Sequence, residues 1–193
     1  MDESLLAAHL LQGGAALLPT DTLPALAVQP TAASQIWRLK ARPTDKPLIL
    51  MGADLAQLRQ VLGLAWRQEW LTQAEAMWPG AVTLVVPCKG DITAALNPGG
   101  LSLGLRVAAC APLQALLRRT GPLATSSVNR SGDPPALSQE QALRQFPDLP
   151  WLEPLPWPGA SGQASTVLAW QSEGDQPGRW QVLRAGAMSM PGS

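Results

Sequence analysis

Ser4-Leu5-Leu6-Ala7-Ala8-His9-Leu10-Leu11-Gln12-Gly13-Gly14-Ala15-Ala16-Leu17-Leu18 is the stretch that decides the fold. Leucines at positions 5, 6, 10 and 11 recur as on one stripe of a helix, and Gly13-Gly14 supplies a left-handed stop. The apolar run that follows, Ala15 to Leu18, has strand length. A helix that feeds straight into a buried strand is the repeating unit of an α/β sheet. The order returns downstream. Thr31 to Lys40 reads as a helix with Thr31 as N-cap and Leu48 to Met51 as its strand. Asp54 to Met77 reads as one or two helices ending at Trp78-Pro79-Gly80, before strand Ala81 to Val86. Leu103 to Val107 is a further strand, and Pro112 to Arg119 a helix with proline in its first turn and Gly121 beyond it. Strand Pro122 to Thr125 follows. Ser138 with Gln141 makes a capping-box pattern for a last helix, and Ser165 to Trp170 and Arg179 to Leu183 close the chain as strands. With no domain-scale linker and no repeat, this implies one α/β domain over residues 1–193, a twisted mixed sheet with flanking helices.

The bulk properties narrow the function. A chain of 193 residues makes one domain with a substantial core, burying roughly 70% of its unfolded surface. Its 14 basic and 14 acidic residues cancel, which argues against a non-specific polyanion binder and leaves room for a local basic cleft. Cys88 and Cys110 are too far apart for a metal-binding CxxC pair and too few for a disulfide framework, so two free thiols are expected. Asp2 and Glu3 stand where a signal peptide carries positive charge, and no apolar run is long enough to cross a bilayer, so a reducing cytoplasm and no membrane partner are expected. The eight tryptophans are scattered along the chain, which reads as packing rather than a base-stacking platform. The single histidine, His9, rules against a Ser-His-Asp triad or a histidine-rich metal site. Neither GxxxxGK[ST] nor GxGxxG occurs, so any nucleotide is bound by another route.

Four loops carry the polar chemistry. Pro19-Thr20-Asp21-Thr22-Leu23-Pro24 puts two hydroxyls and a carboxylate at a strand end, where open α/β sheets bind ligands, and it reads equally as a turn satisfying its own backbone. In Lys40-Ala41-Arg42-Pro43 and Lys46-Pro47 each proline pushes the preceding residue out of helical geometry, so Arg42 and Lys46 are expected extended. If Lys40 has already left the helix, alternation sends it to the side of Arg42, and three cations converge on a polyanion such as a triphosphate. The alternative is a solvated helix end whose cations complement the dipole. Ser126-Ser127-Val128-Asn129-Arg130-Ser131-Gly132 offers hydroxyls and an amide without an acid or base; in an extended loop Ser127 and Asn129 face one side and Val128 the other. Gly159 to Thr166 repeats that chemistry before a strand.

Taken in order, these stretches resemble the Sua5/YrdC/YciO family from about Gly13 to Ala187. The matching motifs are Pro19-Thr20-Asp21-Thr22, Lys40-Ala41-Arg42-Pro43 with Lys46-Pro47-Leu48, and Trp78-Pro79-Gly80 with Thr83. Leu103-Gly104-Leu105-Arg106-Val107, Ser127-Val128-Asn129 with Ser131-Gly132, Ser165-Thr166-Val167, and Val182-Leu183-Arg184-Ala185-Gly186 complete them. The chain stops soon after the last, as in the short one-domain form. Where the family usually has an aromatic and a glycine after Pro-Thr-[Glu/Asp]-Thr, this chain has Pro24 and Ala25, so the aromatic's part of the substrate pocket is missing.

The resemblance implies an L-threonylcarbamoyladenylate synthase activity, a nucleotidyl transfer that forms threonylcarbamoyl-AMP and pyrophosphate from L-threonine, bicarbonate and ATP for the t6A modification of tRNA. It implies an ATP site of Arg42, Lys46, Ser102, Ser127, Asn129, Pro135 and Arg184, with Lys40 and Arg42 as the catalytic pair. It implies an L-threonine site of Thr22, Met51, Arg106, Thr125 and Ser165, with Arg106 facing the amino-acid carboxylate. Mg²⁺ is expected with the nucleotide and no protein-held metal, since no carboxylate cluster marks one. Partners implied are the tRNA threonylcarbamoyl transferase machinery and, less directly, tRNA. Two other readings stay open: an RNA-binding or ribosome-associated member of the same fold, and a carbamoyl-transfer paralogue. A concave pocket favours the enzyme and an open basic stripe favours RNA.

Overall fold

Helix α1 (Glu3–Leu11) starts where the Asp2 carboxylate accepts the Leu5 amide at 2.9 Å, and the chain turns out of it at Gly13, whose φ of +88° suits glycine. The structure, a computed structural model, describes residues 1–172 and 178–188. Of the four leucines that mark α1, Leu6 and Leu10 are fully buried while Leu5 and Leu11 stand exposed. The stripe facing the core is therefore narrower than the leucine pattern. Strand β1 (Ala16–Leu18) follows, then β2 (Ala25–Val28). β2 is not among the elements expected from sequence. All four of its residues are buried, so its run lacks the alternation that marks a half-exposed strand.

A 3-10 turn at Pro30–Ala32 precedes helix α2 (Ser34–Lys40), so Thr31 lies inside that turn and is not the N-cap. The fixed φ of Pro30 starts the turn early, and Ala33 occupies the cap position without a side-chain bond. Then come β3 (Ile49–Met51), α3 (Leu55–Leu62), α4 (Gln68–Met77) and β4 (Val82–Pro87). Helix α5 (Asp91–Leu96) is a second element absent from the sequence reading, and one six-residue turn leaves little periodicity to detect. It is followed by β5 (Ser102–Arg106), α6 (Ala111–Thr120), β6 (Leu123–Ser127) and α7 (Gln139–Gln145). The capping pattern of α7 is present: the Ser138 hydroxyl accepts the Gln141 amide at 3.3 Å, and the Gln141 side chain accepts the Leu137 amide at 2.8 Å. Strands β7 (Thr166–Gln171) and β8 (Arg179–Arg184) end the described chain.

Among the described residues the strands form one mixed sheet in the order β1-β2-β6-β3-β5-β4-β7-β8. β3 runs parallel to β5 and β4 to β7, and the other neighbours are antiparallel, with β8 at an edge. Strand alternation divides the core. Leu17, Leu26, Leu50, Leu105 and Ala124 pack on one face with Ile36, Trp37, Leu58 and Trp70. Ala16, Leu18, Ala27, Met51 and Leu123 face the other side, under the apolar faces of α1 and α6. Those two helices pack against each other and cover only part of that second face. The rest is left as an open cleft.

The tryptophans pack, as expected, yet they are not scattered in space. Trp66, Trp70, Trp170 and Trp180 form a chain of edge-to-face contacts with centroids 6.4, 6.2 and 5.3 Å apart. Cys88 and Cys110 are buried free thiols. Among the described residues no helix is long and apolar enough to cross a membrane.

The uneven burial of α1 sets a test. Leu10→Ala should cost about 2–5 kcal/mol and Leu11→Ala less than about 0.5 kcal/mol in denaturant unfolding. Equal losses at the two positions would show that the helix is seated differently.

Candidate active site

The cleft left open by α1 and α6 has a volume of about 620 Å³. Its floor is a set of strand residues two apart: Ile49 and Met51, Thr83 and Val85, Ser102, Gly104 and Arg106, Thr125 and Ser127. Its walls carry Thr22, Arg42, Lys46, Asn129, Pro135, Ser165 and Arg184. Every candidate residue from the sequence therefore lines this one cleft except Lys40, which lies behind its wall.

Lys40 is the last residue of α2, so the expected alternation with Arg42 does not occur. The helix is closed by Ala41 in the left-handed region at φ 48°, with the Arg42 amide donating to Trp37 O at 2.9 Å and the Ala41 amide to Arg38 O at 3.2 Å. This paired closure is a Schellman motif with alanine at the position glycine usually takes. It swings Arg42 into the cleft and turns Lys40 inward. The Lys40 side chain is 1% exposed, and its Nζ donates to Ser127 O and, at 2.7 Å, to Asn129 Oδ1. Its main-chain oxygen accepts the Ser131 amide at 2.7 Å. Burial, reinforced by the charge of Arg42, pulls its pKa down from 10.5 to about 7.

Asn129 is saturated by this network. Its Oδ1 accepts from Lys40 and from the Ser127 hydroxyl at 2.8 Å, and its Nδ2 donates to Arg130 O and Asp133 O, each at 2.9 Å. Val128 between them is fully buried, so the polar-apolar-polar alternation expected of the loop is present.

The two ends of the cleft differ electrostatically. At one end the Arg42 guanidinium donates only to neutral oxygens, Ser126 Oγ at 3.3 Å and Pro47 O at 3.2 Å, and its Nε is buried without a partner. Burial lowers its pKa, partly offset by Asp45. Asp45 is the single carboxylate among the described lining residues. Arg184, which the ladders through β7 and β4 put in the row of Arg106, also donates only to neutral oxygens, Ser165 O at 2.8 Å and Ser165 Oγ at 3.3 Å, with its pKa lowered by burial. Neither has a carboxylate within ion-pair distance among the described residues. At the other end Arg106, 4% exposed, is paired with Asp21 at 2.6 Å. It also donates to Thr22 Oγ1 at 2.8 Å and Gly80 O at 3.2 Å, which leaves two of its N–H groups free. Burial lowers its pKa and Asp21 opposes that shift.

The loop that supplies Thr22 makes the expected turn and also lines the cleft. Thr20 makes a local turn, accepting the Thr22 amide at 3.0 Å and donating to Leu23 O at 2.7 Å, while Thr22 reaches Arg106. Pro24 lines the cleft as well. Sequence reasoning missed Asp21 as the partner of Arg106, because the two are 85 residues apart and no spacing rule connects them. It also missed Asp45 and Asn97 in the lining. Thr83, whose hydroxyl meets that of Ser165 at 2.8 Å, stands in a motif already noted.

A mixed sheet with one half-covered face, and a cleft along it in which Arg42 and Arg184 have no carboxylate partner among the described residues, defines an α/β protein with a cationic cleft. The Sua5/YciO/YrdC family model, described as "Telomere recombination", matches residues 8–186, and the chain belongs to that family. A protein of Nitrosococcus oceani named threonylcarbamoyl-AMP synthase is 37% identical over 147 residues, 73% of this chain and 78% of that protein. A Bacillus subtilis protein of the same name is 36% identical over 72% of this chain and 42% of its own length. Among solved structures, P. abyssi Sua5 complexed with L-threonine superposes with a TM-score of 0.84 at 26% identity, covering 95% of this chain and 54% of that one. The chain thus spans little more than half of that protein.

The buried amine gives a pH test with a defined sign. Above pH 7 the folded Lys40 sheds a proton that the unfolded chain keeps until about 10.5, so stability rises with pH across that window. Below pH 7 both states are charged and the burial penalty is carried in full. Relative to Lys40→Met, the wild type should gain up to about 1.4 kcal/mol per pH unit between pH 7 and 10. A difference that stays flat in that range would mean the amine titrates normally.

Proposed function

We propose that the cleft joins L-threonine, bicarbonate and ATP into threonylcarbamoyl-AMP and pyrophosphate, a nucleotidyl transfer serving t6A formation in tRNA. The observation that carries this is Arg42, a half-buried guanidinium held only by neutral oxygens, its Nε–H buried without a partner, at the wall of the open cleft. Such a group is stabilised by an anion, and Lys46 and Arg184 line the same cleft. The names of relatives matched over most of this chain support the same activity.

In this reading Arg42, Lys46 and Arg184 neutralise the triphosphate, with Ser102, Ser127 and Pro135 shaping its site. Arg106 offers its two free N–H groups to the threonine carboxylate, while Asp21 offsets the charge that remains buried when the site is empty. Met51, Thr125 and Ser165 complete the threonine pocket beside Thr22. Threonine's neutral amine and bicarbonate give a carbamate with loss of water, and a carbamate oxygen then attacks the α-phosphate and displaces pyrophosphate. No proton-transfer pair is required at that step; charge neutralisation and alignment of two anions are. Lys40 from behind the wall and Asn129 within it fix the Ser127 loop, rather than acting as ligands. Mg²⁺ enters as the counter-ion of ATP, and the lone Asp45 carboxylate suits a metal held chiefly by phosphates and water. The protein works in the cytoplasm and passes its product to the tRNA threonylcarbamoyl transferase machinery.

The direct test is to incubate the purified protein with ATP, bicarbonate and each amino acid in turn and to identify the adenylate by mass spectrometry. Threonylcarbamoyl-AMP should form, with threonine preferred to valine at least about tenfold, since a site built for a hydroxyl leaves polar groups unpaired against an isosteric methyl. Equal pyrophosphate release with both amino acids would refute the assignment. Arg42→Ala should weaken ATP binding by about 2 kcal/mol in calorimetry with the fold intact, and unchanged affinity would remove Arg42 from the triphosphate site.

A further inference from the structure

Gly104 lies in the interior of β5, with Ile49 of β3 on one side and Val85 of β4 on the other. Glycine weakens a central strand, and there it marks a bulge, a tight bend, or a place where another group comes close. Neither flanking ladder shifts register at Gly104, and it is not among the glycines with positive φ. Crowding by the fold is not the reason either. A Cβ built on Gly104 would meet Thr83 Cγ2 at 3.4 Å, Ile49 Cγ1 at 3.5 Å and Val85 Cγ2 at 3.9 Å, all ordinary contacts. The fold has room for a side chain that the sequence does not supply.

What remains is the cleft. Gly104 shares its face with Ser102 and Arg106, each about 7 Å away along the strand. Any side chain here would rise from the floor between the two ends of the site. On the reading given under Proposed function, on which this inference rests, ATP lies toward Ser102 and threonine toward Arg106. We propose that Gly104 is the bare floor over which the two substrates meet, so that its missing side chain makes the two subsites continuous. The carbamate oxygen then approaches from the Arg106 end and forms its bond to the α-phosphorus. The bond from that phosphorus to the bridging oxygen breaks on the opposite side, and the electron pair leaves with pyrophosphate toward Arg42 and Lys46. An in-line displacement needs this straight path along β5.

The test uses Gly104→Ala and Gly104→Val beside the wild type. ATP and L-threonine are titrated singly, then threonine is titrated against protein saturated with a non-hydrolysable ATP analogue, and turnover is measured with bicarbonate. The melting temperature of Gly104→Ala should not fall, since alanine is the better strand residue. Each ligand alone should bind within about threefold of wild type. Turnover should drop at least about tenfold in the alanine variant and about a hundredfold in the valine variant, and the ATP analogue should weaken threonine binding at least about tenfold more than in wild type. Wild-type turnover in both variants would overturn the proposal. Loss of ATP binding alone would assign the gap to the nucleobase, and loss of threonine binding alone to the amino-acid side chain, and either outcome would overturn it too. A wild type that binds neither ligand would instead bring down the reading of the cleft itself. Should the valine variant not fold, the alanine variant decides.

Discussion

A lysine amine buried without a carboxylate must be held by neutral oxygens, and Lys40 takes them from Ser127 and Asn129. That need joins the end of α2 to the loop leaving β6, segments 87 and 89 residues apart in the chain. The placement of Arg42 follows, because the left-handed Ala41 that closes the helix sends the next side chain to the opposite side of the wall. Ser127 and Asn129 are fixed from behind by the same contact. Removing the amine would thus release both the wall and the loop, leaving polar groups unsatisfied in the interior.

The alternation of helices and strands was readable because most elements are long or punctuated. Gly13, the Trp78-Pro79-Gly80 stretch and Gly121 mark ends that the structure places within a residue or two of expectation. What the pattern could not show has a physical cause in each case. β2 is buried on both faces, so its four residues carry no period. Helix α5 is too short for one, and Pro30 converts the expected start of α2 into a tighter turn that leaves Thr31 uncapping. The tryptophan chain joins residues from α4, β7, β8 and the segment before α4, an adjacency that only the sheet order creates.

The site was legible as a set of polar loops at strand ends, because alternation alone sends Ser102 and Arg106, or Ser127 and Asn129, to one side. Its division into two electrostatic halves was not. Arg106 and Arg42 are the same residue type in the sequence, and only the fold gives one a carboxylate partner and leaves the other with carbonyl and hydroxyl oxygens. Desolvation makes that difference matter, since a partly desolvated cation without a counter-charge costs more than a paired one until an anion arrives. Lys40 shows the limit of reading by spacing: it belongs to the same motif as Arg42, yet it faces the interior.

One wall of the cleft is built differently from the rest. Arg184 ends β8, which among the described residues lies at the edge of the sheet and is held through a single ladder to β7. Strands inside the sheet must break two ladders to separate, whereas β8 needs to break one, so its amides open at lower cost than those of the inner strands. An anion gripped by Arg184 would lend its own binding energy to that last ladder. Occupancy of the site and the hydrogen-exchange protection of β8 are then one linked equilibrium: the edge is loosest when the cleft is empty and tightens as it fills.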